Sequence, residues 1–157
     1  MNARVLHDGD WGSPGGAERV AAQLARALDA ELTVGHTGDT AWWRDRGLDP
    51  DVLLPAAPPM RATRPVVDLA AGAAFDRADF DEELLVSSGT VAKWVSPRAG
   101  QTHLHYCHSP PEHLYGHLPD GALQWAARKP VALVDRHHAS MVDWFLANSG
   151  FTASRIE

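Results

Sequence analysis

The chain has 157 residues, 45% of them hydrophobic and 22% charged, with a formal charge of −6. That length gives one domain, residues 1–157, with a real hydrophobic core, and the acidic balance excludes a nucleic-acid binder working through a broad basic face. The single cysteine, Cys107, excludes an internal disulfide framework and fits a reducing compartment.

In chain order, Val5-Leu6 heads a first strand that stops at Asp8-Gly9, and a glycine-rich turn, Gly9 to Gly16, follows it. Ala17, Val20, Ala21, Leu24, Ala25 and Leu28 then recur at the spacing of one helix face, with Glu18 in the first turn, where its charge suits the helix dipole. Leu32-Thr33-Val34 predicts a second strand. A short helix and a loop fill the stretch from Trp42 to Asp51, and Val52-Leu53-Leu54 predicts a third strand. The loop from Pro55 to Met60 cannot be regular structure, because its prolines lack ladder donors. An alanine-rich helix is expected from Val66 to Phe75, a buried strand at Leu84-Leu85-Val86, and one or two helical turns from Thr90 to Val95. A strand from Thr102 to Tyr106 ends at Pro110-Pro111. A long helical stretch from Gly121 to Val142 contains Pro130, which should kink or divide it. Trp144 to Ala147 is the last strand, and Phe151 to Glu157 begins another helix. Strands alternating with helices imply a doubly wound parallel sheet, a Rossmann-like α/β fold.

Three groups of residues could carry chemistry. The glycine turn has no Gly-Lys-Ser/Thr after it, so it is not a P-loop, and its glycines at 9, 12, 15 and 16 miss the G-x-G-x-x-G spacing. It is either a backbone cradle for phosphate at a helix N-terminus or a turn that simply needs glycine dihedrals. In the second group, alternation places His103, His105 and Cys107 on one strand face. Their spacing matches no structural zinc pattern, so no metal site is assigned. His108 lies at the carboxyl end of that strand, where ligands bind in open α/β sheets, and it is either a cleft residue or an ordinary loop histidine. The third group, Ala147-Asn148-Ser149 with Thr152, is a strand-to-helix junction in which Ser149 or Thr152 can cap the helix. The pair His137-His138 reads as surface residues.

Together these segments resemble the N-terminal domain of family-4 retaining glycosyltransferases, which have the two-domain GT-B fold. Gly15-Gly16-Ala17-Glu18-Arg19 is similar to the family's G-G-A-E-R helix opening. Ser87-Ser88-Gly89 and Ala92-Lys93-Trp94-Val95, followed by His105-Tyr106-Cys107-His108-Ser109-Pro110-Pro111, resemble a subgroup's strand–helix–strand passage. Asp143 with Ala147-Asn148-Ser149 and Thr152-Ala153-Ser154-Arg155-Ile156 resembles its A-N-S-x-x-T-A-x-R-I block. Glu112-His113 departs from relatives that often carry arginine or another residue before the Leu-Tyr pair, here Leu114-Tyr115.

The resemblance implies transfer of a sugar from a nucleotide-sugar donor to a hydroxyl of a sugar or lipid-linked acceptor, with retention and without metal or other cofactor. It implies that Gly15 and Gly16 approach the donor phosphates and that His108 lies beside the reacting sugar. Ser109, Asn148 and Ser149 are then cleft or acceptor-side residues. It also implies that this chain is the acceptor-side half of a longer enzyme, whose C-terminal nucleotide-sugar domain lies outside it, and that the chain is nearly inactive alone. Two other readings stay open: a non-catalytic α/β binding module, and a nucleotide-cofactor oxidoreductase with Asp39 as its only candidate ribose-binding acid. With no apolar stretch long enough for a secretion signal or a membrane span, the expected location is cytoplasmic, a peripheral contact at the inner membrane face being compatible with it.

Overall fold

The computed structural model describes residues 2–9, 14–37, 40–54, 64–109, 115 and 122–156. The tip of the glycine turn at 10–13, Asp39, the proline loop at 55–60, and Pro110-Pro111 with Glu112-His113-Leu114 lie outside the described residues.

Six strands are present: β1 (Ala3–Gly9), β2 (Glu31–His36), β3 (Asp51–Leu54), β4 (Leu84–Ser88), β5 (Thr102–Cys107) and β6 (Trp144–Ala147). They form one sheet in the order β3-β2-β1-β4-β5-β6, every neighbouring pair parallel. Around it lie α1 (Gly16–Ala27), α2 (Thr40–Arg44), α3 (Arg64–Arg77), α4 (Ala122–Ala139), α5 (Gly150–Ile156) and a 3-10 turn at Ala92–Trp94. This is the doubly wound α/β architecture expected from the alternation of strands and helices.

Burial on both faces explains the near-continuous apolar runs of the central strands. Val5 packs with Ala21, Ala22 and Ala25 of α1, Leu32, Val34, Trp43 and Val86. Its neighbour Leu6 points the other way, into Phe75 of α3, Leu85, Ala92 and Val95. The α1 seam is made of alanines, so the helix can lie close to the sheet. It is centred on Ala21, Ala22 and Ala25, while Leu28, assigned to the buried face by periodicity, is the half-exposed C-cap. On the opposite face α3 presses Gly72 against the Trp94 ring so closely that a Cβ there would overlap it.

Of the kink or division expected at Pro130, division does not occur, because helix α4 runs through it. Pro130 faces solvent, where water can satisfy the carbonyl that its missing N–H leaves unpaired. Of the pair His137-His138, His137 is exposed as expected and His138 is not. His138 is buried and stacks on Trp94, with ring centroids 5.7 Å apart and planes 11° from parallel. Asp135 and His138, three residues apart, share the side of α4 that meets the 3-10 turn. No described helix is long and apolar enough to cross a membrane.

Candidate functional site

In this strand order, the chain leaves β1 toward β2 on one side and leaves β4 toward β5 on the other. The carboxyl ends of β1 and β4 therefore flank the crevice in which open α/β sheets bind ligands. His7-Asp8-Gly9 ends one strand, Ser87-Ser88 ends the other with Gly89 just after it, and His7 is the register partner of Ser88. Alternation sends His7 and Ser88 to the α1 face and Asp8 to the face carrying the 3-10 turn.

Asp8 ties the two strand ends together. Its carboxylate accepts the backbone N–H groups of Thr90, Val91 (2.8 Å) and Ala92 (2.7 Å). The chain enters that turn through Gly89 at φ +126°, where a Cβ would lie 2.5 Å from the Asp8 carboxylate carbon. The cluster of N–H donors after β4, a natural anion nest, is thus filled by the protein's own carboxylate. The comparable donors after β1 belong to the N-terminus of α1.

His7 is fully buried, and its Nδ1 lies 2.8 Å from the Ser88 carbonyl oxygen. A carbonyl only accepts, so Nδ1 carries the proton and Nε2 is turned toward α1. There it faces Glu18 Oε1 at 3.7 Å, with no hydrogen-bond partner among the described residues. The other Glu18 oxygen accepts the Gly15 N–H at 2.6 Å. Burial raises the Glu18 pKa, but His7 and the backbone donors outweigh it and hold the carboxyl down at about 2. Glu18 is therefore an anion seated at the N-terminus of α1.

His108 follows β5. Its Nε2 lies 2.9 Å from Ser88 Oγ, and its ring stacks edge-on against Tyr106. Burial lowers its pKa, as does the nearby His7, so the ring is neutral near pH 7. Ser88 therefore holds both histidines, His7 by its carbonyl and His108 by its hydroxyl. Gly15 and Gly16 stand exposed on the same edge, and among the described residues no side chain or non-adjacent backbone atom outside the helix lies within 4 Å of the position a Gly16 Cβ would take.

Asn148 and Ser149 act on this edge through the backbone. Ser149 Oγ caps α5 by accepting the Thr152 N–H at 3.1 Å, and Asn148 Oδ1 accepts from Thr152 Oγ1 at 2.7 Å. Thr152 Oγ1 in turn reaches the His108 carbonyl at 3.4 Å. Ser109 is exposed and borders a separate cavity on the other face. His103, His105 and Cys107 share that other face as expected, all buried. The two rings are held by Ser87 Oγ, 2.8 Å from His103 Nε2 and 2.9 Å from His105 Nδ1. Among the described residues, no three His, Cys, Asp or Glu side chains form a metal-binding group.

Sequence reasoning passed over His7, Asp8, Glu18 and Ser88 as site residues. The available signal was positional: a polar His-Asp pair closing an apolar strand, and a Ser-Ser-Gly closing another. No protein-family model matches the sequence, and no curated protein matches it at a significant level.

Proposed function

We propose that this domain is the acceptor-side half of a retaining glycosyltransferase of GT-B architecture, moving a sugar from a nucleotide-activated donor to an acceptor hydroxyl. The observation that carries the reading is the convergence at the β1/β4 crevice of an unobstructed Gly15-Gly16 helix start and a neutral histidine fixed by Ser88. The first N–H groups of a helix have no intrahelical acceptor, and Glu18 accepts that of Gly15 at 2.6 Å. In this reading the N–H groups of the helix start meet the negative charge that builds on a departing diphosphate. Ser88 engages His108 Nε2, which leaves Nδ1 as the ring atom for a sugar hydroxyl. In this reading the nucleotide itself is held by a second α/β domain, and the acceptor by the edge described here.

The test has two steps. The coding sequence beyond Glu157 is expected to encode a second α/β domain carrying a Glu-x7-Glu pattern. The complete protein is then expected to transfer sugar from one member of a UDP-, GDP- and ADP-sugar panel, with turnover lost in His108→Ala. A frame that closes without such a domain, or transfer indifferent to His108, overturns the proposal.

One observation favours a second reading, a non-catalytic binding module. The Glu18 anion already sits where a phosphate would approach α1. A module with that arrangement binds no nucleotide sugar, and removal of the Glu18 charge does not change this.

A further inference from the structure

Glu18, at the start of α1, has two partners in reach and engages one of them. Its Oε2 accepts the Gly15 N–H at 2.6 Å. Its Oε1 stands 3.7 Å from Nε2 of His7, beyond hydrogen-bond distance. The His7 ring is 2% exposed, and Nε2 has no hydrogen-bond partner among the described residues. A buried ring nitrogen left in that state is costly, and each such case in a native interior calls for a reason.

The position of the His7 proton accounts for the gap. Nδ1 faces the Ser88 carbonyl at 2.8 Å and must donate, so in the neutral ring Nε2 carries a lone pair. A lone pair and a carboxylate oxygen repel each other, and Glu18 turns its other oxygen to Gly15. One added proton reverses this. Nε2 then donates, and the ring becomes a cation facing an anion between sheet and helix. The other elements packed around His7 bring different groups. Trp43 of α2 meets the ring edge-on, with centroids 6.1 Å apart. His36 of β2 is buried on the same face, beyond Val34, the register partner of His7. Asp8 is turned to the opposite face. His108, past the end of β5, has its pKa lowered by burial and then by His7.

We infer that Glu18 is a stopper on the α1 N-terminus, and that a diphosphate displaces it onto His7 with uptake of one proton at Nε2. The incoming anion takes the Gly15 N–H that Glu18 gives up. Glu18 in turn takes the N–H that the proton creates on His7. The proton comes from solvent, and no covalent bond other than that N–H forms. The ligand then meets a helix start whose own carboxylate has been drawn back and neutralised by a buried imidazolium. This inference rests on the reading of the helix start as a diphosphate site, and it concerns how that site opens.

The experiment is an NMR titration of the 157-residue chain with diethyl diphosphate carrying one ethyl group on each phosphate. The two charges of this probe do not titrate near neutral pH, so any proton taken up belongs to the protein. The Gly15 and Gly16 amide signals report the anion, and the ring-nitrogen signals of His7 and His108 report the proton. Both glycine amides are expected to shift together with conversion of His7 Nε2 from unprotonated to protonated. Affinity is expected to fall about tenfold for each unit of pH above neutrality, as uptake of one proton requires. Glu18→Gln has no charge to bring to His7. Its binding is expected to be tighter above neutrality and level with pH, with Nε2 left unprotonated. Amide shifts without protonation of His7, protonation at His108 in its place, or an unchanged pH dependence in Glu18→Gln would overturn the stopper and leave the diphosphate site standing. No movement of Gly15 or Gly16 in either protein would overturn both.

Discussion

The Ser88 hydroxyl stands 2.9 Å from Nε2 of His108, twenty residues later in the chain, and this contact fixes a histidine at the mouth of the crevice. Strands β4 and β5 are register neighbours, Ser88 opposite Tyr106, so the serine reaches just past its partner to the residue that follows β5. A loop histidine is thereby given one orientation by a sheet side chain.

In the proposed transferase reading, Ser88→Ala in the complete protein is expected to lower kcat by about a hundredfold, the scale on which small misplacements of reacting groups act. KM for the donor should change little, because the Ser88 hydroxyl engages His108. Unfolding free energy should fall by only about 1 kcal/mol, that of one neutral hydrogen bond. Steady-state kinetics and urea unfolding of the same variant check both. Equal loss in His108→Ala and in the double variant would confirm that the serine acts through the histidine.

Asp8 is expected to be a stability residue. Its carboxylate serves three backbone donors, so Asp8→Ala leaves all three without that acceptor and should cost about 3 kcal/mol or more. Gly89→Ala should cost a similar amount for two reasons, a positive φ that disfavours a side chain and an overlap with Asp8. Since the Gly89 substitution acts against Asp8, its penalty in an Asp8→Ala background should shrink. Denaturant unfolding of the two single variants and the double variant measures the coupling.

The buried pair Lys93–Asp135 should show the asymmetry of desolvated charges. Lys93→Met alone leaves a buried carboxylate without its counter-charge, and a loss of about 3–5 kcal/mol is expected. The double substitution Lys93→Met with Asp135→Leu should recover part of that loss. Recovery should be incomplete, because Trp94 Nε1 and Tyr115 Oη also lose their acceptor. A double-mutant cycle by chemical unfolding decides it.

All six strands were legible because each is a short apolar run, and a parallel sheet covered on both faces needs little else to be recognised. Helix α1 was legible because its alanines and leucines recur at helical spacing, with Glu18 in the first turn. The polar interior was not. Helix α4 turns Asp135 and His138 inward, and hydropathy assigns such residues to solvent. Their burial is fixed by Trp94 and Lys93, some forty residues away, and no local pattern encodes that pairing. The same limit hid His7. Its role depends on Ser88 across the strand pair and on Glu18 across the sheet–helix layer, and only the topology brings those three together.

The paired histidines under Ser87 set an acid limit on the fold. Burial lowers the His103 pKa from 6.5 to about 4, more than Asp143 nearby can offset. The unfolded chain therefore takes up this proton at a higher pH than the folded one. Between 6.5 and about 4 the unfolded state binds more protons, so stability falls as pH falls through that window. His105 is shifted in the same direction and adds to the slope. Urea unfolding at a series of pH values should show a loss on the order of 3 kcal/mol from His103 across the window. His103→Gln should flatten part of it. A profile level down to pH 4.5 would show that these rings are not held neutral.

The helix start decides between the two functional readings, and two substitutions that differ only in chemistry make the distinction. Gly16→Val adds bulk in front of the Gly16 N–H without disturbing packing, because nothing among the described residues outside the helix and its neighbours lies within 4 Å of that position. In the transferase reading it is expected to weaken nucleotide-sugar binding and transfer strongly, about tenfold or more, with little change in stability, the propensity difference between helix residues being small. Glu18→Gln keeps an acceptor for the Gly15 N–H but removes the negative charge from the phosphate approach. If a diphosphate binds there, relief of that repulsion should tighten the nucleotide sugar, while the loss of the His7 contact lowers thermal stability. Opposite effects on affinity from two neighbouring substitutions cannot come from general loosening of the loop, which would weaken binding in both. Calorimetric titration of the nucleotide sugar against the two variants gives the answer. No nucleotide-sugar binding in the parent protein or in Glu18→Gln would leave the non-catalytic module as the better account of this edge.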